Sequence, residues 1–314
     1  MTASNCISIT YSDPTTSSRD LFKLGVMVLL WGLSWPAMKI CLHSISPLWL
    51  ATLRFGSAAL CLFLFTGIRG ELKFPARQDI PIIASVSLLQ MMAFTALGLI
   101  AMTKIGAGQA ALLAYTTPLW VSLITVVVLR RSLERSQLYA VIAGLLGIVV
   151  VFSPSLFNGQ LAAIIGDIML LAAALCWSIV IVHVKQHKWH SSPLMLAPWQ
   201  MLLSALPLML IALITEGIPH INWNTELVSL LVFIGPLATC FCFVISLAVG
   251  RRINPVSMSV ATLGVPVIGL FSSILFLNES ITLAIAVGVV LILCSLVGIL
   301  ISPAKTGASR YNFE

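Results

Sequence analysis

The chain has 314 residues, of which 59% are hydrophobic and 9% are charged, and its mean hydropathy is +1.07. Soluble domains are closer to half apolar and a quarter charged, so these few charges could not cover the surface of a water-soluble protein of this size. The composition excludes an ordinary soluble globular protein and predicts a surface that faces lipid.

Ten apolar stretches follow one another along the chain, and each is long enough to cross a bilayer as a helix. Short connections that contain Pro, Gly, Asn or charges separate them. The stretches are continuous rather than alternating, which disfavours membrane strands. We therefore predict an all-α integral membrane protein with ten transmembrane helices, over residues 22–43, 47–67, 80–102, 107–129, 137–153, 161–184, 193–214, 227–249, 256–277 and 281–301.

The two ends of the chain are predicted to be tails. Residues 1–20 are rich in Ser and Thr, and the apolar run that follows contains Trp31, Pro36 and Lys39 without a clear small-residue cleavage site. We interpret residues 1–20 as a disordered cytoplasmic tail rather than as a signal peptide. Residues 303–314 form the predicted cytoplasmic C-terminal tail.

The basic residues sort to one side of the predicted membrane. If the N-terminus is cytoplasmic, the inner segments hold fourteen of the 17 basic residues and the outer segments hold only Lys104. The other two, Lys39 and Arg54, lie within spans. Cytoplasmic loops of membrane proteins are enriched in Lys and Arg, so this sorting predicts that both termini are cytoplasmic. It also explains the net charge of +7 without a nucleic-acid-binding face.

Two segments of the first half recur in the second half at a constant offset. The segment WGLSWPAMK begins at Trp31 and WSIVIVHVK begins at Trp177, 146 residues later. The segment SPLWLA begins at Ser46 and SPLMLA begins at Ser192, again 146 residues later. These matches indicate an internal repeat.

The repeat unit contains five predicted helices. Pro118 and Pro266 match at an offset of 148 residues, so the register persists to the end of each half. We predict two units over residues 21–153 and 161–302. Because five is odd, the second unit enters the membrane from the opposite side, which gives the inverted repeats that are typical of alternating-access transporters.

Four phrases in order resemble one transporter family. They are LLWGLSWPAMK, SPLWLATLRF, AALLAYTTPLW and FLNESITLAIAVGVVLILCSLVGILIS. Over roughly residues 21–302 the chain resembles the EamA-type ten-helix transporters of the drug/metabolite transporter superfamily. An acidic residue usually follows the fourth and ninth spans of this family; Glu279 matches, whereas Arg131 stands in the first copy. The resemblance implies a cavity between the halves and export of amino acids, other metabolites or drugs across a bacterial inner membrane.

One face of the first helix carries the first candidate site. Trp31, Ser34 and Trp35 share this face, since they are three and four residues apart. Lys39 lies at its edge near the outer end. Aromatic rings beside an ammonium group suit an anionic or zwitterionic solute. The alternative is that the Trp pair packs against neighbouring helices and Lys39 extends to the lipid headgroups.

Polar residues within the other spans add candidates, because polar groups inside a membrane are costly and are often functional. For Arg54, within the second span, a structural role is favoured. The predicted substrate cavity comprises Trp31, Ser34, Trp35, Lys39, Gln90, Tyr115, Thr116, Trp177 and Thr262. The predicted hinges or kinks are Pro36, Pro118 and Pro266.

The sequence contains no phosphate-binding loop, metalloprotease motif or other enzyme signature, and we expect no cofactor or metal. The predicted function is a secondary transporter that exports small metabolites, with a small-molecule solute and the lipid bilayer as its partners. A nucleotide-sugar or phosphate exchanger is an alternative, but it would need more cavity cations than Lys39 and Arg54. A receptor or channel is the alternative from another class, although a receptor would be expected to carry an output domain.

The topology is testable by cysteine labelling in a Cys-free variant. A cysteine placed at Asn158 or Asn222 should react with an impermeant thiol reagent added to intact cells, because both positions belong to outer connections. A cysteine at Gln78 should react only after the cells are permeabilised. Labelling at Gln78 but not at Asn222 would reverse the predicted orientation.

Overall fold

The computed structural model describes residues 17–128, 130, 133–250, 252–253 and 255–301. Within these residues the protein is all-α, and ten helices are long and apolar enough to cross a membrane. They are α1 Ser18–Cys41, α2 Pro47–Ile68, α3 Arg77–Met102, α4 Ala107–Val127, α5 Arg135–Phe157, α6 Leu161–Gln186, α7 Pro193–Thr215, α8 Thr225–Gly250, α9 Ser257–Leu277 and α10 Leu283–Ile301.

Several helices extend beyond their predicted bounds, and the extensions of α1 and α5 are the largest. α1 begins at Ser18, inside the predicted tail, and the Ser17 side chain accepts a hydrogen bond from the Arg19 N–H. The rest of that tail, residues 1–16, and the tail over 303–314 lie outside the described residues. α5 continues through Pro154 to Phe157. Proline cannot bond the carbonyl one turn earlier, but the Ser153 hydroxyl donates to the Val150 carbonyl at 2.7 Å, so the turn persists.

The outward surfaces of the helices are apolar. Leu60 and Leu64 of α2, and Leu146 and Val149 of α5, are exposed although each belongs to a long apolar helix. A water-soluble protein would bury side chains of this kind or replace them with charges. The exposed surface is therefore suited to hydrocarbon, and the protein is a multi-pass membrane protein.

Helix packing shows the two repeats directly. α1 packs against α9, and its equivalent α6 packs against α4. α2 packs against α8, and its equivalent α7 packs against α3. In addition, three helices pack against their own equivalents: α2 against α7, α4 against α9, and α5 against α10. When every helix is exchanged with its equivalent in the other half, the first four contacts interconvert in pairs and the last three are unchanged. With five spans per repeat, this exchange reverses the direction of every helix, so the two repeats are inverted.

Irregular turns recur at the same places in both repeats. α3 contains a π-helical segment at Val86–Ala93, and α8 contains one at Phe233–Phe241. π-helical turns are rare and often occur at functional sites. Their equivalence shows that the widened turn belongs to the repeat unit rather than to one half.

Breaks in α4 and α9 also match. The helical backbone of α4 is interrupted at Tyr115 and Thr116, shortly before Pro118, and that of α9 is interrupted at Leu263, shortly before Pro266. Both predicted proline kinks therefore coincide with a break. α1, by contrast, runs without interruption through Pro36.

Acidic residues fix the connections at both ends of the bundle. At the N-terminal face, where α1 begins, Asp79 accepts a hydrogen bond from the His190 N–H at 3.2 Å. At the opposite face, where α1 ends, Glu216 accepts from the Ser46 hydroxyl at 2.6 Å and from the Leu48 N–H at 3.0 Å. Each acid follows the second helix of one repeat in sequence. It binds residues at or just before the start of the second helix of the other repeat.

The packing of α5 against α10 depends on glycine. A Cβ atom added at Gly147 would lie 2.9 Å from Cγ1 of Ile292 and 3.0 Å from Cβ of Leu291. Small residues allow membrane helices to approach closely enough for van der Waals packing to hold them together. The α5–α10 contact therefore requires a position without a side chain.

We expect Gly147→Leu to separate α5 from α10 and to destabilise the protein by about 1–3 kcal/mol, the usual cost of overpacking. The measurement is the melting temperature and monodisperse yield of the detergent-solubilised protein. Gly25→Leu is the matched control, because nothing lies within 4 Å of a Cβ at Gly25. Equal melting temperatures for the two variants would contradict the proposed close contact.

Candidate functional site

A cavity of about 200 Å³ lies in the interior of the helix bundle, and both repeats contribute to its wall. Its lining includes Trp31, Gln90 and Trp177, which stand near the middle of α1, α3 and α6. The volume is below the usual range for drug-sized ligands, so the cavity suits a small solute. The lining residues are Trp31, Ser34, Trp35, Met38, Arg54, Phe55, Gln90, Met91, Phe94, Thr95, Gly98, Leu99, Met102, Tyr115, Trp177, Met201, Ala238, Thr239, Phe243 and Ser246.

The π-helical segment of α8 positions two lining residues from the first repeat. Its Ala238 carbonyl accepts a hydrogen bond from the Trp31 indole N–H at 2.8 Å. The Thr239 hydroxyl donates to the Ile234 carbonyl at 2.7 Å and accepts from Nε of Arg54 at 2.8 Å. Because the hydroxyl proton is used within α8, the oxygen lone pairs face the guanidinium group. The widened turn therefore holds α1 and α2 against α8 at the cavity.

One wall of the cavity is aromatic. The Trp177 ring meets the Phe94 ring edge to face, with 4.7 Å between their centroids and an interplanar angle of 79°. The Tyr115 ring meets Trp177 with 6.1 Å between centroids and an angle of 64°. Edge-to-face contacts favour a fixed arrangement of the three rings. The aromatic wall, defined as Phe94, Tyr115 and Trp177, offers a rigid apolar surface to a solute.

Arg54 is the only charged side chain among the described residues that line the cavity. Besides the bond to Thr239, its Nη1 donates to Sδ of Met38 at 3.0 Å, and its guanidinium carbon lies 5.6 Å from the ring centroid of Phe55. None of the ion pairs in the described part of the chain includes Arg54. The cavity therefore carries one positive charge that no carboxylate of the described residues neutralises.

Three further lining residues carry polar side-chain groups that have no hydrogen-bond partner within the described ranges. They are the side-chain amide of Gln90, the Tyr115 hydroxyl, which lies near Arg54, and the Trp177 indole N–H. The equivalent of Trp177 in the first repeat, Trp31, uses its N–H in the bond to Ala238. The two repeats thus share a backbone arrangement but present different polar groups to the cavity.

The structure brings six of the predicted site residues to the cavity, and it places three elsewhere. The six are Trp31, Ser34, Trp35, Gln90, Tyr115 and Trp177. Thr116 and Thr262 instead satisfy carbonyls at the equivalent breaks of α4 and α9. The Thr116 hydroxyl donates to the Leu113 carbonyl at 2.7 Å, and the Thr262 hydroxyl donates to the Ser259 carbonyl at 2.8 Å.

Lys39 also lies outside the cavity lining. Its ammonium group donates to the Ile105 carbonyl at 2.9 Å and to the Met102 carbonyl, where α3 ends. Carbonyls at a helix C-terminus lack partners within the helix and carry partial negative charge, so they attract a cation. Lys39 therefore joins the end of α1 to the end of α3 at the opposite face.

Glu279 has the complementary contact at the same face. Its carboxylate accepts hydrogen bonds from the N–H groups of Ala107 at 2.6 Å and Gly108 at 3.0 Å, at the start of α4. A carboxylate at a helix N-terminus is favourable because the unpaired N–H groups carry partial positive charge. The family acid that the sequence retains thus caps a helix, while Arg131, its counterpart, lies outside the described residues.

Sequence reasoning missed Thr239 and assigned Arg54 to a structural role. The sequence does show that Arg54 is the only cation well inside a span, which is a signal for function. Thr239 gives no such signal, because a hydroxyl in an apolar helix usually bonds its own backbone. Its contact with Arg54 depends on how α8 packs against α2.

Comparisons with known proteins agree with this architecture. A family model described as the EamA-like transporter family matches residues 21–153 and 164–301, once in each repeat. A Bacillus subtilis (strain 168) protein named uncharacterized transporter YoaV is 30% identical over 275 residues, covering 87% of this chain and 94% of its own length. A Salmonella typhimurium protein named probable amino-acid metabolite efflux pump is 30% identical over 292 residues, covering 89% and 94% respectively.

A solved crystal structure is among those that share the fold. It superposes with a TM-score of 0.60 and 18% sequence identity, and the match covers 90% of this chain and 97% of that chain. At this level of identity the likeness concerns the arrangement of helices and not the solute.

We expect Lys39→Met to destabilise the protein by about 1–3 kcal/mol, because carbonyls at the end of α3 would lose a charged donor. The measurement is the melting temperature in detergent. Lys104→Met is the control, because Lys104 is exposed and belongs to the same connection between α3 and α4. An effect of Lys39→Met no larger than that of the control would contradict the structural assignment of Lys39.

Proposed function

Because the chain belongs to the EamA-like transporter family, we propose that it is a secondary transporter that exports small metabolites by alternating access. The observation that carries this proposal is the cavity at the middle of the bundle, walled by both repeats. Solutes of inverted-repeat transporters bind near the membrane midplane at the interface of the repeats. In support, the cavity lies near the middle of several spanning helices and combines apolar rings with a few polar groups, as small-molecule sites do.

The inverted symmetry of the fold supports alternating access. If each repeat can adopt the packing of its partner, the bundle has two related states in which opposite faces are closed. Contacts between helix ends at the opposite face include Lys39 on the end of α3 and Glu279 on the start of α4. We propose that these contacts loosen during the cycle, and that the breaks before Pro118 and Pro266 are the points where α4 and α9 bend.

We propose an orientation and location that follow from the charge distribution. The N-terminal face, which carries most Lys and Arg residues, is cytoplasmic, and the membrane is a bacterial inner membrane. Export then moves the solute from the N-terminal face to the opposite face. Both tails are placed in the cytoplasm by the same rule.

The proposed solutes are amino acids or related compounds. The name of the Salmonella typhimurium relative, probable amino-acid metabolite efflux pump, points in this direction. A nucleotide-sugar or phosphate exchanger is less well supported, since Arg54 is the one charged side chain in the described lining and a phosphate ester carries more negative charge. The site residues retained in this proposal are Trp31, Ser34, Trp35, Gln90, Tyr115 and Trp177.

The proposal is tested by an untargeted comparison of metabolites outside cells that contain or lack the protein. We expect Trp31→Ala and Gln90→Ala to reduce the export rate of the identified solute about tenfold, which corresponds to a loss of roughly 1.4 kcal/mol. Insertion should remain normal, because neither change places a charge in lipid.

Matched controls are Trp223→Ala and Gln78→Ala, which alter exposed residues outside the cavity. They should transport at the wild-type rate at equal protein level. Full activity of both cavity variants would overturn the site assignment, and no metabolite difference between wild-type and deleted cells would count against export.

A further inference from the structure

The unpaired guanidinium group in the cavity has a chemical consequence. A charged group inside a membrane protein is costly to bury unless an opposite charge or several hydrogen bonds compensate it. Arg54 has a hydroxyl, a thioether and an aromatic ring as its neighbours, and no carboxylate pairs with it in the described ranges. Arginine carries several N–H donors in a planar fork, and these contacts occupy only Nε and Nη1.

We propose that Arg54 binds the carboxylate of the transported solute, which is a monocarboxylate with an apolar or aromatic body. This assignment rests on the proposed function, since it names the solute class of the same cavity. A guanidinium group fits a carboxylate through two parallel hydrogen bonds, and such charge-assisted bonds are stronger than neutral ones. Thr239 is a positioning residue, because its hydroxyl holds Nε and thereby orients the fork.

The remainder of the cavity selects the body of the solute. The aromatic wall supplies an apolar surface of fixed shape on residues from both repeats. The Gln90 amide oxygen can accept a hydrogen bond from an amino group, and the Trp177 N–H can donate one to a hydroxyl. We therefore expect small aromatic and aliphatic acids, with or without an α-amino group, to bind better than hydrophilic acids of similar size.

Charge excludes other solute classes. The described lining contains no acidic residue, so a cationic solute would meet Arg54 without a compensating partner. A phosphate ester or a dicarboxylate would bring a second negative charge for which the lining offers no second cation. One guanidinium group matches one carboxylate, and this stoichiometry favours a monoanion or a zwitterion.

The first experiment measures binding to the purified full chain in detergent with pairs of probes that differ only in the carboxylate. The pairs are phenylacetate and phenylacetamide, indole-3-acetate and indole-3-acetamide, and L-phenylalanine and L-phenylalaninamide. The wild type should bind the best acid about 10- to 100-fold more tightly than its amide, the change that a hydrogen bond to a charged group supplies. Equal binding of acid and amide, or no binding of any acid, would overturn the assignment.

Variants separate recognition from structure. Arg54→Gln should abolish the preference for the acid while leaving the weaker binding of the amide unchanged. Arg54→Lys should retain only part of the preference, since an ammonium group lacks the planar fork. Thr239→Val should weaken acid binding severalfold, and Thr239→Ser should restore it. Lys104→Met, which removes an exposed cation elsewhere, is the control for net charge and should behave as the wild type.

Loss of structure would be recognised separately. If Arg54→Gln does not give a monodisperse protein, the comparison of acid with amide in the wild type still decides the proposal. A purely structural Arg54 would give a folded Arg54→Gln variant whose acid preference is unchanged, and this result would overturn the assignment.

Transport in proteoliposomes distinguishes failure of this assignment from failure of the proposed function. Export of a solute without a carboxylate, at equal rates in wild type and Arg54→Gln, would overturn the carboxylate assignment and leave the transporter proposal intact. Arg54-dependent binding of an acid that is never transported would support the assignment and contradict the proposed function. Transport of the acid that depends on Arg54 would support both.

Discussion

The absence of water from the bilayer core is the constraint on which the rest of this structure depends. Every backbone polar group within that region needs a partner inside the protein, which restricts the described chain to helices. Where the helices depart from regular geometry, hydroxyl groups compensate: Ser153 at Pro154, Thr116 in α4 and Thr262 in α9 all donate to carbonyls about one turn earlier. At these three positions a local donor thus reduces the cost of irregular backbone in the membrane.

The same constraint makes the irregular segments useful. A π-helical turn leaves backbone carbonyls displaced from the usual hydrogen-bond pattern, and in α8 one of them accepts the indole N–H of Trp31. The neighbouring Thr239 orients Arg54. A widened turn in one repeat therefore fixes an aromatic ring and a cation from the other repeat, and it places both beside the cavity. The local geometry of the backbone, rather than a loop or a separate domain, builds the candidate site.

The helix packing of the protein follows the inverted symmetry, but the polar groups in the cavity do not. The helix contacts, the π-helical segments and the breaks in α4 and α9 all occur in equivalent pairs. The polar groups at the cavity are asymmetric. Arg54 of α2 has Gln200 as its sequence counterpart in α7. The Trp31 indole N–H donates a hydrogen bond, whereas that of Trp177 has no hydrogen-bond partner among the described residues. Symmetric packing supports exchange between two related states, while asymmetric polar groups can recognise a solute that has no symmetry of its own.

The sequence by itself determined the ten helices and the repeat, because hydropathy and the constant offset are local properties that lipid imposes directly. It also indicated Trp31, Gln90 and Trp177, since polar and aromatic groups at mid-membrane stand out against an apolar background. Only the tertiary structure decided the direction in which cations and hydroxyls point. Lys39 and Arg54 are both cations within predicted spans, but Lys39 binds carbonyls at the C-terminal end of α3, whereas Arg54 lines the cavity. The sequence could not separate them, because their partners are far away along the chain and meet only when the helices pack.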